Sequence, residues 1–104
     1  MRADALNGQL DSLILGSLAE EPAHGYAILQ RLKRRSSGAF DLAEGTIYPA
    51  LHRLERDGLL SSSWSIQSGR RRRVYSLTRR GRAALRARRR DWIQFARAVE
   101  AVLG

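Results

Sequence analysis

The sequence predicts a mainly α-helical fold with a two-stranded β wing: a winged helix-turn-helix followed by a long C-terminal helix. Three observations predict it. Apolar residues recur at helical spacing in three stretches before Gly58, alternate with polar residues after it, and return to helical spacing from residue 79. A chain of 104 residues has the size of one domain. We therefore expect a single compact unit, with the winged helix-turn-helix in residues 1–78 and a dimerisation helix in residues 79–104.

Two amphipathic helices are predicted at the start of the chain. The first covers residues 7–19 and is interrupted by Glu20-Glu21-Pro22. Its apolar positions are Leu6, Leu10, Leu13, Ile14 and Leu18. The second begins near His24, which we expect to cap or buttress it, and ends in the basic residues 33–35, where cations suit the helix dipole. Its buried positions are Ile28, Leu29 and Leu32.

The third predicted helix has a leucine-rich face and a polar face. Ile47, Leu51 and Leu54 recur at helical spacing and point inward, and Gly58 provides a natural stop. A winged helix places the opposite face of this helix in a DNA major groove. The residues on that face are Gly45, Thr46, Tyr48, Pro49, His52, Arg53 and Arg56.

The start of the third helix has two interpretations. Pro49 lacks an N–H, so it fits a first turn that begins at Gly45 or Thr46. Alternatively, Asp41 and Glu44 form a capping box, the helix begins earlier, and Pro49 kinks it. We favour the later start.

An alternating pattern after Gly58 predicts a hairpin. Leu60, Ser62, Trp64 and Ile66 lie on one face of the first strand, residues 67–69 turn, and Tyr75 and Leu77 share a face of the return strand. The tip carries Arg70, Arg71, Arg72 and Arg73, for which we expect phosphate contact. Tyr26 either touches a phosphate or packs against the third helix, and His52 either contacts the groove or is solvated.

Thr78 is the predicted cap of the last helix, which would be roughly 37 Å long at 1.5 Å per residue. An apolar stripe of nearly heptad spacing on a helix of this length is typical of pairing with another helix. The stripe consists of Leu85, Trp92, Phe95, Ala96, Val99, Val102 and Leu103.

Charge narrows the class of partner. Nineteen Lys and Arg residues against ten Asp and Glu give a formal charge of +9, which favours a polyanion such as nucleic acid. All but one of the basic residues are Arg, a bias that GC-rich coding also produces. Double-stranded DNA is the expected partner, and the alternative is a basic RNA- or ribosome-associated winged-helix module. Because an RNA module need not dimerise, the C-terminal stripe favours DNA.

Composition also argues against several classes. The chain has no Cys and no paired His spacing, so no metal or other cofactor is expected. We find no nucleophile–base constellation or phosphate-binding Gly loop, and we expect no enzyme. No segment approaches the ~18 apolar residues of a membrane span or the apolar core of a signal peptide. We therefore expect a cytoplasmic protein without a membrane partner.

Three segments cover nearly the whole chain and carry a family resemblance: LNGQLDSLILGSLAEEPAHGYAI, EGTIYPALHRLERDGLLSSSW and GRRRRVYSLTRRG. HGYAI followed by GTIYPALHRLE is a specific combination, and with it the chain resembles the PadR-like transcriptional regulators. The single helix after the wing resembles the smaller subgroup of that family. Arg71 stands where the family wing often has Pro, which implies a more mobile and more charged wing tip.

The resemblance implies a homodimer that is joined through the C-terminal helix, represses promoters and releases DNA in response to a small molecule. In drug-binding relatives an aromatic pair on that helix sandwiches planar ligands. Trp92 matches one member of the pair, and Arg89 stands where the second would be. A small planar aromatic effector would then bind between the last helices of the dimer and the partner's first helix, near Trp92, Leu10, Asp11 and Ile14; the alternative is that Trp92 only packs in the dimer.

Overall fold

The computed structural model describes residues 8–104 and contains, within that range, four helices and three strands. The helices are α1 (Leu10–Ser17), α2 (Gly25–Arg35), α3 (Glu44–Arg56) and α4 (Arg79–Leu103). The strands are β1 (Ala23–His24), β2 (Leu60–Gln67) and β3 (Arg70–Leu77). This order confirms the predicted winged helix with a long last helix. Leu6 of the first apolar pattern lies outside the described residues.

The apolar core lies between the first three helices and the base of the hairpin. The predicted inward face of α3 is confirmed, since Ile47, Leu51 and Leu54 are at most 1% exposed. Complete burial of one such side chain contributes about 1.5–3 kcal/mol to folding. The same core contains Ile14, Leu15, Leu18, Ala23, Ile28, Leu32, Ala50, Leu60, Tyr75 and Leu77.

The first helix is shorter than the sequence predicts. It begins at Leu10 because Gly8 and Gln9 form a turn, with Gly8 at a φ of 85°. It ends at Ser17, whose hydroxyl donates to the carbonyl of Ile14 within the core (2.7 Å). Leu18 is still buried although it lies beyond the helix, so apolar spacing alone overestimated the helix length.

The third helix begins at Glu44, earlier than the favoured start, and the capping-box alternative is also wrong. Its N-cap is Ala43, which offers no side-chain hydrogen bond, while Asp41 lies 3.7 Å from the ammonium of Lys33. Pro49 therefore lies in the second turn rather than the first. The carbonyl of Gly45 consequently loses its usual helical partner, and Gly45 is exposed, where water can supply one.

The hairpin has the predicted faces, and a third strand, β1, pairs with it. Leu60 pairs with Leu77 and Ser62 with Tyr75, which fixes a register in which the buried Leu60, Tyr75 and Leu77 lie at the base. The strands join through Ser68 and Gly69, both at positive φ, as a two-residue turn of type I′ requires. In addition, β1 pairs with β3. A strand of two residues is too short to produce an alternating pattern, so the sequence predicted a two-stranded wing.

The last helix starts against the hairpin and then leaves the domain. Thr78 caps it as predicted, accepting from the N–H of Gly81 (3.0 Å) and donating to the carbonyl of Gly58 (2.7 Å). Leu85 is half-buried and packs against the core beside Gly16 of α1. From Asp91 onward every residue except Ala96 is exposed. The C-terminal half of α4 is thus an unpartnered surface in the single chain.

Candidate nucleic-acid interface

The outer face of α3 is the first part of the candidate interface. Pro49 and His52 are exposed, and Thr46 is half-buried directly before the buried Ile47. The helix begins at this end: the carbonyl of Ala43 accepts the first helical hydrogen bonds, from the N–H groups of Thr46 and Ile47. A helix N-terminus with small and polar side chains can approach a nucleic-acid backbone closely.

Tyr48 belongs partly to the core. Its ring is half-buried and lies directly over Gly25, where a Cβ would come 2.6 Å from Tyr48 Cε1 and 2.9 Å from its hydroxyl oxygen. Gly25 thereby sets how closely the start of α2 approaches α3. Tyr26, which follows Gly25 in the chain, is 46% exposed and is not packed against the core cluster. The two tyrosines therefore differ: Tyr48 is fixed between helices, and Tyr26 projects from the start of α2.

Arg53 is paired rather than free. Its guanidinium donates to a carboxylate oxygen of Asp11 in α1, and the Asp11 side chain is 23% exposed. The sequence places Arg53 on the exposed face of α3, and the structure ties it to the first helix. To contact a phosphate, Arg53 would have to bind it together with the Asp11 carboxylate or leave that carboxylate.

The four wing arginines divide between two faces of the hairpin. Arg71 is opposite Ile66 and Arg73 is opposite Trp64, so both lie on the face that continues into the core. Arg70 and Arg72 lie on the other face, since strand residues alternate. Of the four, Arg70 alone adjoins the turn, so the run follows β3 away from the tip instead of clustering there.

A network of side chains connects the wing with α3. Arg73 lies 3.5 Å from a carboxylate oxygen of Glu55, and the hydroxyl of Ser62 donates to the same oxygen (2.5 Å). The Trp64 ring stacks against two guanidinium groups, with Arg71 at 4.4 Å and Arg73 at 5.5 Å from its centroid. The Glu55 carboxylate therefore joins the wing to α3, and the Trp64 ring stacks on two arginines of the wing itself.

His24 is the last residue of β1 and the N-cap of α2. Its Nδ1 accepts from the N–H of Ala27 (3.2 Å), which confirms that it caps α2. Burial, followed by the positive charges of Arg72 and Arg31, lowers the pKa of His24 below its usual value. A neutral imidazole is required for the cap, so geometry and charge agree. Within residues 8–104, no group of side chains has the composition of a metal site.

Known proteins resemble the chain in sequence and fold. A model of the "Transcriptional regulator PadR-like family" matches residues 14–87. "Transcriptional regulator Rv3488" of Mycobacterium tuberculosis is 45% identical over 86 residues, covering 83% of this chain and 78% of that protein. The chain belongs to the PadR-like family of transcriptional regulators. Membership in this family agrees with the prediction that the chain is not an enzyme.

Solved structures of PadR-like regulators have the same fold. A PadR-like transcriptional regulator from Bacillus cereus strain ATCC 14579 superposes with a TM-score of 0.84 at 27% identity and covers 96% of each chain. Bacillus subtilis PadR, solved in complex with operator DNA, superposes with a TM-score of 0.68 at 28% identity. That match covers 82% of this chain and 46% of the Bacillus subtilis chain.

The apolar stripe of this PadR-like chain is exposed mainly in the C-terminal half of α4. Val102 and Leu103 are 85% and 79% exposed, and the rings of Trp92 and Phe95 are in contact at 5.9 Å between centroids. Leu85 differs, because it already packs on α1 within the chain. The members of the stripe beyond Leu85 are Trp92, Phe95, Ala96, Val99, Val102 and Leu103.

Within one chain the predicted effector residues do not form one surface, and the predicted pocket between α4 and the first helix of a partner stays a prediction. Ile14 is fully buried in the core, Leu10 is half-buried against it, and Asp11 is bound to Arg53. Trp92 instead borders a groove of about 290 Å³ between the start of α1 and α4. The groove is lined by Gly8, Gln9, Ser12, Arg88, Asp91, Trp92 and Phe95.

Two carboxylates that organise the interface were not predicted from the sequence. Asp11 was assigned to a ligand site, and Glu55 received no role, although each binds an arginine of the candidate surface. A usable signal exists for Glu55, which directly follows Leu54 at the edge of the buried face of α3. An acidic side chain at such an edge in a chain of charge +9 is a plausible ion-pair partner.

Proposed function

We propose that this PadR-like chain is a sequence-specific DNA-binding regulator. The outer face of α3 enters the major groove, and the wing lies along the neighbouring backbone or minor groove. The observation that carries the proposal is the contact between Glu55 of α3 and Arg73 of β3, which joins the polar helix face and the arginine-rich hairpin in one surface. The formal charge of +9 supports a polyanionic partner.

The proposed contacts fall into two groups. Side chains of α3 and the exposed start of α2 contact base edges and the sugar–phosphate backbone, and the wing arginines contact phosphates. The first group is Tyr26, Thr46, Tyr48, Pro49, His52 and Arg53. The second is Arg70, Arg71, Arg72 and Arg73.

We further propose that the regulator acts as a homodimer joined through α4. In the single chain, six large apolar residues in the second half of this helix are exposed, and pairing with a second copy would remove the five that belong to the stripe from water. Two recognition helices related by a two-fold axis would read an inverted repeat with half-sites roughly 34 Å apart. Occupying a promoter in this way would repress it.

A ligand-responsive form of this mechanism uses the groove beside Trp92. Trp92 and Phe95 supply aromatic surface, and the opposite charges of Arg88 and Asp91 border it, which suits a small planar aromatic molecule. Binding there would alter how the start of α1 sits on α4, and so would favour one dimer geometry over another. A shift between geometries would change the separation of the recognition helices and release DNA.

DNA binding can be tested by fluorescence anisotropy with a labelled duplex from the DNA flanking the protein's own gene. We expect affinity to fall steeply between low and physiological salt, because phosphate contacts release counterions. His52→Ala should weaken binding to this duplex more than to a scrambled duplex, and Arg97→Gln on the far side of α4 should change neither. An RNA duplex of the same sequence serves as competitor. Salt-independent binding, or stronger binding to the RNA, would contradict the proposal.

Dimerisation can be tested by sedimentation equilibrium. Phe95→Asp should shift the protein from dimer to monomer, because it places a charge in an apolar interface. Gln94→Asp adds the same charge to the adjacent residue, which points to the other side of α4, and should leave the dimer intact. A wild-type monomer at micromolar concentration would refute the proposed assembly.

The effector groove can be tested by tryptophan fluorescence titration with planar aromatic cations. We expect saturable quenching that is lost in Trp92→Ala and retained in Trp64→Ala, since Trp64 lies on the wing. Quenching that survives Trp92→Ala undiminished would remove the groove from the mechanism.

A further inference from the structure

Trp64 is an unusual residue for the place it occupies. It lies in the middle of β2, 54% exposed, and its cross-strand neighbour is Arg73 rather than an apolar residue. Its strand face continues into the core at Leu60, yet Trp64 is not part of the buried cluster. Its close partners are instead the guanidinium groups of Arg71 and Arg73.

We infer that Trp64 is a positioning residue for DNA binding, which holds the Arg71 guanidinium ready for phosphate contact. The inference rests on the proposed function and adds a role that DNA contact alone does not require. Stacking on an indole face favours a guanidinium, because the ring quadrupole attracts the cation while its N–H edges remain free to donate. Arg71 can thus be oriented by Trp64 and still bind an anion.

The two stacked arginines have different additional partners. Arg73 is anchored from the other side by the carboxylate of Glu55, which also accepts from Ser62. Among residues 8–104, no carboxylate forms a recorded ion pair with Arg71. Arg73 therefore fixes the wing against α3, and Arg71 is the guanidinium on this face that is oriented but not neutralised.

Positioning matters because an arginine side chain has many rotamers. A free guanidinium loses that freedom when it binds a phosphate, whereas a stacked one has lost part of it beforehand. Ile66, directly opposite Arg71 and 77% exposed, gives Arg71 no comparable support. Among the described residues, Trp64 is the aromatic side chain that contacts Arg71 and can restrict its guanidinium.

The inference is tested by a double-mutant cycle on the duplex described above. Trp64→Leu should weaken binding about fivefold, within the range expected for one cation–π contact, and Trp64→Phe should restore most of the loss. In an Arg71→Gln background, Trp64→Leu should have little further effect. The matched control is Arg70→Gln, on the opposite face, in which Trp64→Leu should keep its full effect.

Two further measurements separate positioning from folding and from the proposed function. In the free protein, the Nε–H resonance of Arg71 should be displaced by the indole ring current, and Trp64→Leu should return it to the random-coil position while the melting temperature stays near that of the wild type. A chain that binds DNA with normal salt dependence but loses equal affinity with and without Arg71 would overturn the inference alone. Failure of the wild type to bind any duplex would overturn the proposed function and this inference together.

Discussion

Replacing Gly81 with Ala would test how the last helix is fixed to the winged domain. A Cβ at this position would lie 2.0 Å from the carbonyl oxygen of Leu59 and 3.3 Å from Cδ2 of Leu77. Ordinary contact between carbon and a carbonyl oxygen begins at about 3.3 Å, so the added methyl is roughly 1.3 Å too close. The Leu59 oxygen cannot move freely, because it accepts from the N–H of Thr78 (3.1 Å).

The expected change in the free energy of unfolding is the difference between two opposing contributions. Overpacking a fixed backbone costs about 1–3 kcal/mol, and replacing a helical Gly by Ala returns up to about 1 kcal/mol of propensity. Moving α4 outward would also disturb the cap, in which Thr78 joins the N–H of Gly81 to the carbonyl of Gly58. We expect Gly81→Ala to lower the free energy of unfolding by about 2 kcal/mol.

The assay is urea unfolding followed by circular dichroism at a fixed protein concentration. The matched control is Gly45→Ala, a helical position where an added Cβ meets no atom within 4 Å. It should leave stability unchanged or raise it by less than about 1 kcal/mol. If Gly81→Ala proves as stable as Gly45→Ala, the close approach of α4 to Leu59 does not exist in solution.

Three other substitutions test the interface. Gly25→Ala should force the Tyr48 ring out of its position and weaken DNA binding severalfold, measured by anisotropy, with a smaller loss of stability than Gly81→Ala because a ring can rotate. His24→Asn should keep the α2 cap but remove one source of acid sensitivity in unfolding experiments. Asp11→Asn should release Arg53 and make the salt dependence of DNA binding steeper, by up to about 0.9 in the logarithmic slope per protomer.

The pH prediction depends on the sign of the pKa change. Burial holds the pKa of His24 below its usual value of 6.5, so below pH 6.5 the unfolded chain binds a proton that the folded chain resists. The stability contributed by neutral His24 is therefore present above pH 6.5 and is lost as the pH falls through the folded-state pKa. Equal acid sensitivity in wild type and His24→Asn would assign that sensitivity to other groups.

Controls for the other two substitutions use the same assays. Tyr48→Phe keeps the ring and removes the hydroxyl, so it separates displacement of the ring from loss of a polar contact in Gly25→Ala. An unchanged salt slope in Asp11→Asn would mean that Arg53 does not reach phosphate even when it is freed from its partner.

The helices and the hairpin could be predicted because their apolar residues are periodic. The face formed by Ile47, Leu51 and Leu54 and the alternation from Leu60 to Ile66 are local patterns that packing preserves. The start of α3 could not be predicted in this way, since Ala43 caps it without a side-chain signal. Helix ends depend on a few backbone hydrogen bonds, and sequence patterns record them poorly.

The candidate site was predictable in its outline but not in its pairings. Exposed and buried faces follow from spacing: His52 is exposed and Thr46 is half-buried, away from the buried face of α3, while their contact with DNA stays a prediction. Contacts between residues distant in sequence do not follow from spacing. Arg53 and Asp11 are 42 positions apart, and their ion pair depends on how α1 crosses α3.

These pairings change what the basic charge can do. Arg53 and Arg73 lie on the proposed DNA-binding side, but each already has a carboxylate partner, so they add orientation with little net positive charge. Arg70, Arg71 and Arg72 have no recorded carboxylate partner among the described residues. If these three contribute most of the wing's phosphate contacts, they account for a logarithmic salt slope of about −2.7 per protomer, rather than the roughly −4.5 expected from five free arginines. Specific binding then depends on the rigid, charge-paired part of the surface, and non-specific attraction depends on the outer wing.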